Sequence, residues 1–194
     1  MNANPADRAP RKVLLFSGHM IDAPGRDEPR FPPDKEPVAR AAIDALLAKM
    51  DVGPRDLAIS SAACGGDLLF AESAQARGAG LEIYLPFEPD TFVEKSVAFA
   101  GADWRSRFDA VRSACSLHVL PRERGPLAAD DDPYEKTNLW MLEAAVRFGA
   151  DKVDFICLWN GQGGDGPGGT QHLMQEVSRR QGRSHWLDTT RLWK

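Results

Sequence analysis

Residues 57–78 constrain the fold of this chain more than any other stretch. An apolar run at 57–59 suits a buried strand, small residues fill 60–66, and a helix-forming segment covers 67–77 before Gly78 closes it. A strand, a tight small-residue turn and a helix in succession form the repeating unit of α/β folds. In an open α/β sheet, such a turn at the carboxyl end of a strand is where small ligands bind. The backbone can approach a ligand because no side chain intervenes, and the helix start offers N–H groups without intrahelical partners.

The unit recurs along the chain. Strands are predicted at 12–16, 57–59, 81–85, 116–120, 153–159 and 185–188, each a continuous apolar run rather than a clean polar–apolar alternation. That pattern belongs to a mostly parallel sheet of about six strands covered on both faces, which makes the fold α/β with three layers. Ile43, Leu46, Leu47 and Met50 recur at helical spacing, and Gly53-Pro54 ends that helix. Helices are also predicted at 91–99, 104–113 and 170–180. Asp132-Pro133-Tyr134-Glu135 reads as a helix start, with Asp132 as cap and Pro133 in the first helical position. Residues 22–37 are rich in proline, glycine and charge without periodicity, and a loop of that length is often a functional lid. Residues 122–132 read as a polar loop.

At 194 residues the chain is expected to form one domain, residues 12–194, preceded by a flexible leader at 1–11. Its formal charge of −4 is the reverse of the basic excess of nucleic-acid-coating proteins, so no nucleic-acid partner is expected. No apolar run approaches the roughly 20 residues that span a bilayer, so no membrane partner is expected. The opening residues lack an apolar signal region, which points to a cytoplasmic protein. Cys64, Cys115 and Cys157 match no zinc or iron–sulfur spacing and read as buried reduced thiols. No metal and no cofactor is implied.

Three strand-to-helix turns carry small residues: Ser17-Gly18-His19, Ala62 through Asp67, and Gly166-Pro167-Gly168-Gly169-Thr170. Parallel strands bring all such turns to one edge of the sheet, so the three are expected to face one cleft. The Gly-x-Gly-x-x-Gly and Gly-Lys-Ser/Thr phosphate-binding fingerprints are both missing from the sequence. Pro167-Gly168-Gly169-Thr170, entering a helix after an apolar strand, resembles the Pro-Gly-Gly-x-Gly-Thr signature of the LOG (lonely guy) and DprA-like proteins. Ser60-Ser-Ala-Ala-Cys-Gly-Gly-Asp67 resembles the earlier glycine-rich turn of the broader SLOG superfamily. The order of elements fits that superfamily from Val13 to Asp188.

The resemblance implies a Rossmann-like fold that binds a nucleotide or a nucleotide-derived small molecule, as a sensor or ligand-binding domain. It implies, as the alternative, a LOG-like hydrolase that cleaves the N-glycosidic bond of a nucleoside 5′-monophosphate. For that activity Glu176 stands nearest the family's catalytic glutamate, with Gln175 in the aligned position, and Arg107 is the candidate for holding the phosphate. LOG-like relatives commonly dimerise, so a homodimer is implied in the same way.

The residues add detail to this picture. Gly168, Gly169 and Thr170 suit a phosphate at a helix start, unless Thr170 merely caps its own helix. Gly65 and Gly66 offer a similar approach. Asp67 would repel a phosphate and is better suited to accept from ribose hydroxyls, or else it simply favours its helix N-terminus. Ser17 and Gly18 end the first strand at the same edge. His19 either stacks on a base, hydrogen-bonds it, or satisfies its own loop. Tyr134 and Asn138 lie one turn apart near a helix start, and Asn160 ends the fifth strand.

Overall fold

The computed structural model of the chain describes residues 9–162 and 169–194. Its architecture grows from β1 (Val13–Gly18), which reads Val-Leu-Leu-Phe-Ser-Gly. Val13 and Leu15 pack into the core on one face of the sheet, Leu14 and Phe16 into the core on the other, and all four are fully buried. A strand with both faces covered has no reason to alternate.

Outward from β1 the chain builds α1 (Glu36–Lys49), β2 (Leu57–Ser60), α2 (Gly66–Ala76), β3 (Gly80–Leu85), α3 (Pro89–Ser96), α4 (Ala102–Ser113) and β4 (Ser116–Val119). It continues through α5 (Leu120–Glu123), α6 (Pro133–Val146), β5 (Val153–Trp159), α7 (Thr170–Arg179), β6 (Arg183–Asp188) and α8 (Thr189–Leu192). The strands form one six-stranded sheet in the order β4-β3-β2-β1-β5-β6, and every neighbouring pair is parallel. Leu15 lies beside Ile59 on one side and Phe155 on the other. The chain therefore winds away from β1 in one direction, then returns to β5 and winds the other way. The crevice at such a reversal, outside the carboxyl ends of β1 and β5, is where this class of fold binds ligands.

Helices α1 to α4 cover one face, packing on Leu14, Phe16, Ala58, Ile83 and Ile156, with the Phe16 ring stacked 4.7 Å from that of Phe70. Helices α6 and α7 cover the other, over Val13, Leu15, Ile59, Tyr84 and Phe155. The result is the single three-layer, Rossmann-like α/β domain expected, with a sheet that is parallel throughout. No helix among the described residues is long and apolar enough to cross a membrane.

Helix starts follow the local chemistry. Asp132 caps α6, its carboxylate accepting the Glu135 N–H at 2.7 Å, with Pro133 at the start. Helix α3 begins at Pro89, earlier than predicted, and ends at Ser96, and residues 98–100 form a separate 3₁₀ turn. Helix α5 follows β4 without a gap, where a polar loop was expected; Pro121 in its first turn starts it. Residues 1–8 of the expected leader lie outside the described residues. Arg11, near its end, is tied down: its guanidinium donates to both oxygens of buried Asp56 at 3.0 and 2.8 Å.

Gly65 shows why one turn is glycine. It sits at φ +103°, and a Cβ there would stand 2.6 Å from the Ile21 nitrogen and 2.7 Å from the His19 oxygen. The segment leaving β1 crosses directly over it, pairing Met20 with Gly65 as an isolated antiparallel bridge. Gly65→Ala is expected to cost at least about 3 kcal/mol, combining a disallowed backbone with a clash against main chain. Gly25→Ala, at φ +80° in open space, should cost about 1 kcal/mol. Urea unfolding midpoints check both; equal losses would contradict the packing argument.

Candidate functional site

The turns after β1 and β2 and the starts of α6 and α7 enclose a cavity of about 500 Å³ at the carboxyl edge of the sheet. Three groups give it polar character. Ser17, near the end of β1, and Thr170, the first residue of α7, bring their hydroxyl oxygens to 3.1 Å across the topological reversal. Gly169 is the N-cap of α7 in extended conformation, and no side chain among the described residues caps that end. Thr170 is therefore inside the helix and not its cap. Its hydroxyl joins Ser17 instead.

Asp67 lies in the first turn of α2 and is only 8% exposed. Burial pushes its carboxyl up to about 7, although the N–H groups of Ala63 and Gly18 favour the ionised form. Its Oδ1 has no hydrogen-bond partner among the described residues, while the residue lines the cavity. A buried carboxylate oxygen without a hydrogen-bond partner carries an uncompensated desolvation cost.

His19 follows β1. Burial pushes its imidazole down to about 4, and its Nε2 accepts the Asn160 N–H at 3.2 Å. The ring is therefore neutral near pH 7, with its proton on Nδ1. Its carbonyl accepts the Gly66 N–H at 3.0 Å, so the histidine ties both neighbouring turns to β1. Ile21, Phe92 and Phe99 supply apolar wall. Tyr134 and Asn138 from α6 complete the rim, with the Tyr134 hydroxyl 3.1 Å from Ser96 Oγ.

Of the residues singled out from sequence, Ser17, Gly18, His19, Asp67, Tyr134, Asn138, Gly169 and Thr170 line this cavity. Gly65 and Gly66 sit beneath the crossing segment, where the Gly66 N–H is already spent on His19. Asn160 faces its own loop, accepting the Gln162 N–H at 3.1 Å, and neighbouring Trp159 reaches the cavity instead. Pro167 and Gly168 lie outside the described residues.

The two candidate catalytic side chains are not among the cavity-lining residues. Arg107, on α4, makes a bidentate pair with Glu72 at 2.7 and 2.9 Å and a third bond to Glu36 at 2.9 Å. Glu176 is paired with Arg179 one turn along α7. Sequence reasoning missed Arg26, Arg30 and Asp22, which line the cavity from the 22–37 loop. The loop was legible as a lid, but no local signal marks which of its charges turn inward.

The raised Asp67 carboxyl has a measurable consequence. Between pH 3.8 and about 7 the folded protein holds a proton that the unfolded chain has released, so this group removes stability as pH rises through that window. Asp67→Asn, which stays neutral, should therefore gain stability over the parent as pH rises from 5 to 8, by on the order of 3 kcal/mol. Thermal unfolding at the two pH values checks this, and a difference that does not change with pH would contradict it.

No protein-family model matches the sequence, and no curated protein matches it either. Among solved structures the chain is similar to DNA processing protein A from Helicobacter pylori, described for its single-stranded DNA binding mode. That likeness has a TM-score of 0.50 at 12% identity and covers 91% of this chain but 65% of the other. DprA from Streptococcus pneumoniae aligns with a TM-score of 0.38 at 13% identity, over 91% of this chain and 58% of that one. The chain thus spans about two thirds or less of the solved chains it matches. The expectation of no nucleic-acid partner is corrected here: a protein described as binding single-stranded DNA has this fold, so a charge of −4 does not exclude nucleic acid. The likeness is one of fold: a Rossmann-like α/β domain similar to DNA processing protein A, in keeping with the DprA-like resemblance of the Pro-Gly-Gly-Thr and Gly-Gly-Asp turns.

Proposed function

We propose that the protein binds a nucleotide or a nucleotide-derived small molecule in the cavity outside β1, β2 and β5, as a ligand-binding or sensor domain. One observation carries this reading. Buried Asp67, whose Oδ1 has no partner among the described residues, lines the same cavity as the Ser17–Thr170 hydroxyl pair at the start of α7. An acceptor suited to sugar hydroxyls and a helix start suited to an oxyanion, with an apolar wall of Ile21, Phe92 and Phe99 for a base, together match the three parts of a nucleotide.

Turnover is not favoured. The N-glycosidic hydrolase reading needs a carboxylate and an arginine at the reacting centre, and Glu176 and Arg107 are both committed to ion pairs away from the cavity lining. The fold neighbour described as binding single-stranded DNA adds a polymer of nucleotides to the ligands worth testing.

Isothermal titration against nucleosides, their 5′-mono- and diphosphates and a short single-stranded oligonucleotide tests the proposal. Binding of at least one nucleotide is expected. Asp67→Asn and Thr170→Val should each weaken it about 10-fold or more, the size of one lost hydrogen bond to a charged group. Glu176→Gln should change affinity less than about 2-fold. Absence of binding across the panel would contradict the proposal, and release of free base from a bound monophosphate would restore the hydrolase reading.

A further inference from the structure

The segment between β1 and α1 supplies one wall of the cavity, from Ile21, Asp22, Ala23, Arg26 and Arg30. Its own bonds fix its internal shape. The Asp22 N–H donates to the Phe31 carbonyl at 2.9 Å, and the Asp22 carboxylate accepts the N–H groups of Arg30 and Phe31, each at 2.9 Å. Arg26 is held within the segment, its Nε donating to the Glu28 carbonyl at 3.0 Å. At the incoming end the Met20–Gly65 bridge seats the segment on the turn before α2. The outgoing end is seated by a residue far away in sequence.

Beyond β6, Asp188 caps α8 by accepting the Thr190 N–H at 2.9 Å, and the short helix delivers Trp193 to the foot of the segment. The Trp193 Nε1 donates to the Arg30 carbonyl at 3.1 Å, and its ring lies 5.3 Å from that of fully buried Phe31. Trp193 is not among the described residues that line the cavity, so it meets the wall from behind. Arg30 is held on both sides: it lines the cavity, its N–H goes to Asp22 and its carbonyl to Trp193. An indole N–H donates and cannot accept, so this bond is directional where the ring contact with Phe31 is not.

We propose that Trp193 is a positioning residue for the cavity, its indole N–H holding residues 22–31 in place as a wall of the nucleotide site. This rests on the reading of the cavity as a nucleotide site and goes beyond it by assigning part of the affinity to a side chain outside the cavity lining. Binding groups work only within about 0.5 Å of their productive places, and residues behind them keep them there. Removing the N–H while keeping an aromatic ring should therefore weaken binding more than it weakens the fold. A ligand that contacts the wall at Arg30 should in turn be felt at the indole, one hydrogen bond away.

The test titrates wild type, Trp193→Phe and Trp104→Phe with the 5′-monophosphates and 5′-diphosphates of adenosine, guanosine, cytidine and uridine. Trp193→Phe should bind about 3- to 10-fold more weakly than wild type, the range of one lost hydrogen bond. Trp104 packs in the same core as Phe31 but away from the cavity lining. Trp104→Phe should lower the Tm and leave affinity within about 2-fold, which separates positioning from general loss of stability. In wild type labelled with 5-fluorotryptophan, assigned from single Trp→Phe variants, the Trp193 fluorine resonance should shift on saturation with a nucleotide that binds, and that of Trp104 should not. This reading is made on the wild type and stands even if a variant is too unstable to titrate. Unchanged affinity in Trp193→Phe, or a Trp193 resonance that ignores the nucleotide, overturns the positioning role and leaves the cavity reading intact. A wild type that binds none of the eight probes overturns both.

Discussion

Everything in this molecule is arranged about a strand that must be covered on both faces and paired on both edges. β1 is flanked by β2 and β5, and its four leading side chains are divided between two separate cores. A parallel neighbour cannot be reached by a hairpin, so each additional strand requires a crossover, and the crossovers become the two helical layers. Because the crossovers run first to one side of β1 and then to the other, the turns leaving β1 and β5 diverge and a crevice opens between them. The cavity is a consequence of winding order rather than of any single motif.

Within that crevice the balance of forces is set by burial. A carboxylate in the first turn of a helix is normally favoured by the helix dipole, a contribution of at most about 1–2 kcal/mol. At Asp67 desolvation outweighs it, raising the carboxyl to about 7 and leaving one oxygen without a donor. The same burial drives His19 the other way, to about 4, and makes it a neutral brace between β1, β2 and β5. One histidine thereby holds the site's geometry without adding charge to it.

The sequence made the scaffold legible because apolar runs and small-residue turns are local signals. Leu57–Ser60 followed by Gly65 and Gly66 reads as strand, turn and helix at sight, and Asp132 announces α6. The site was legible where residues occupy those turns, as Ser17, Asp67 and Thr170 do. What stayed hidden depends on partners far away in sequence. Thr170 answers Ser17 across 153 positions. Gly65 is glycine because the main chain of Ile21 passes over it, a reason that looks like ligand approach until the crossing is seen. Arg107 has the residue type for a phosphate contact, but two glutamates from α1 and α2 occupy it. Net charge misled for a related reason: −4 is a sum over the whole surface, whereas recognition depends on the few groups that face one crevice.

Backbone amide shifts recorded during a nucleotide titration test the central claim most directly, because they report where a ligand sits rather than whether it binds. The account predicts the largest shifts at Gly18, Asp67, Gly169 and Thr170, converging from three separate elements on one cavity. Shifts absent there and gathered instead around Tyr84, His118 and Trp140, a smaller groove on the α6 side of the sheet, would contradict it.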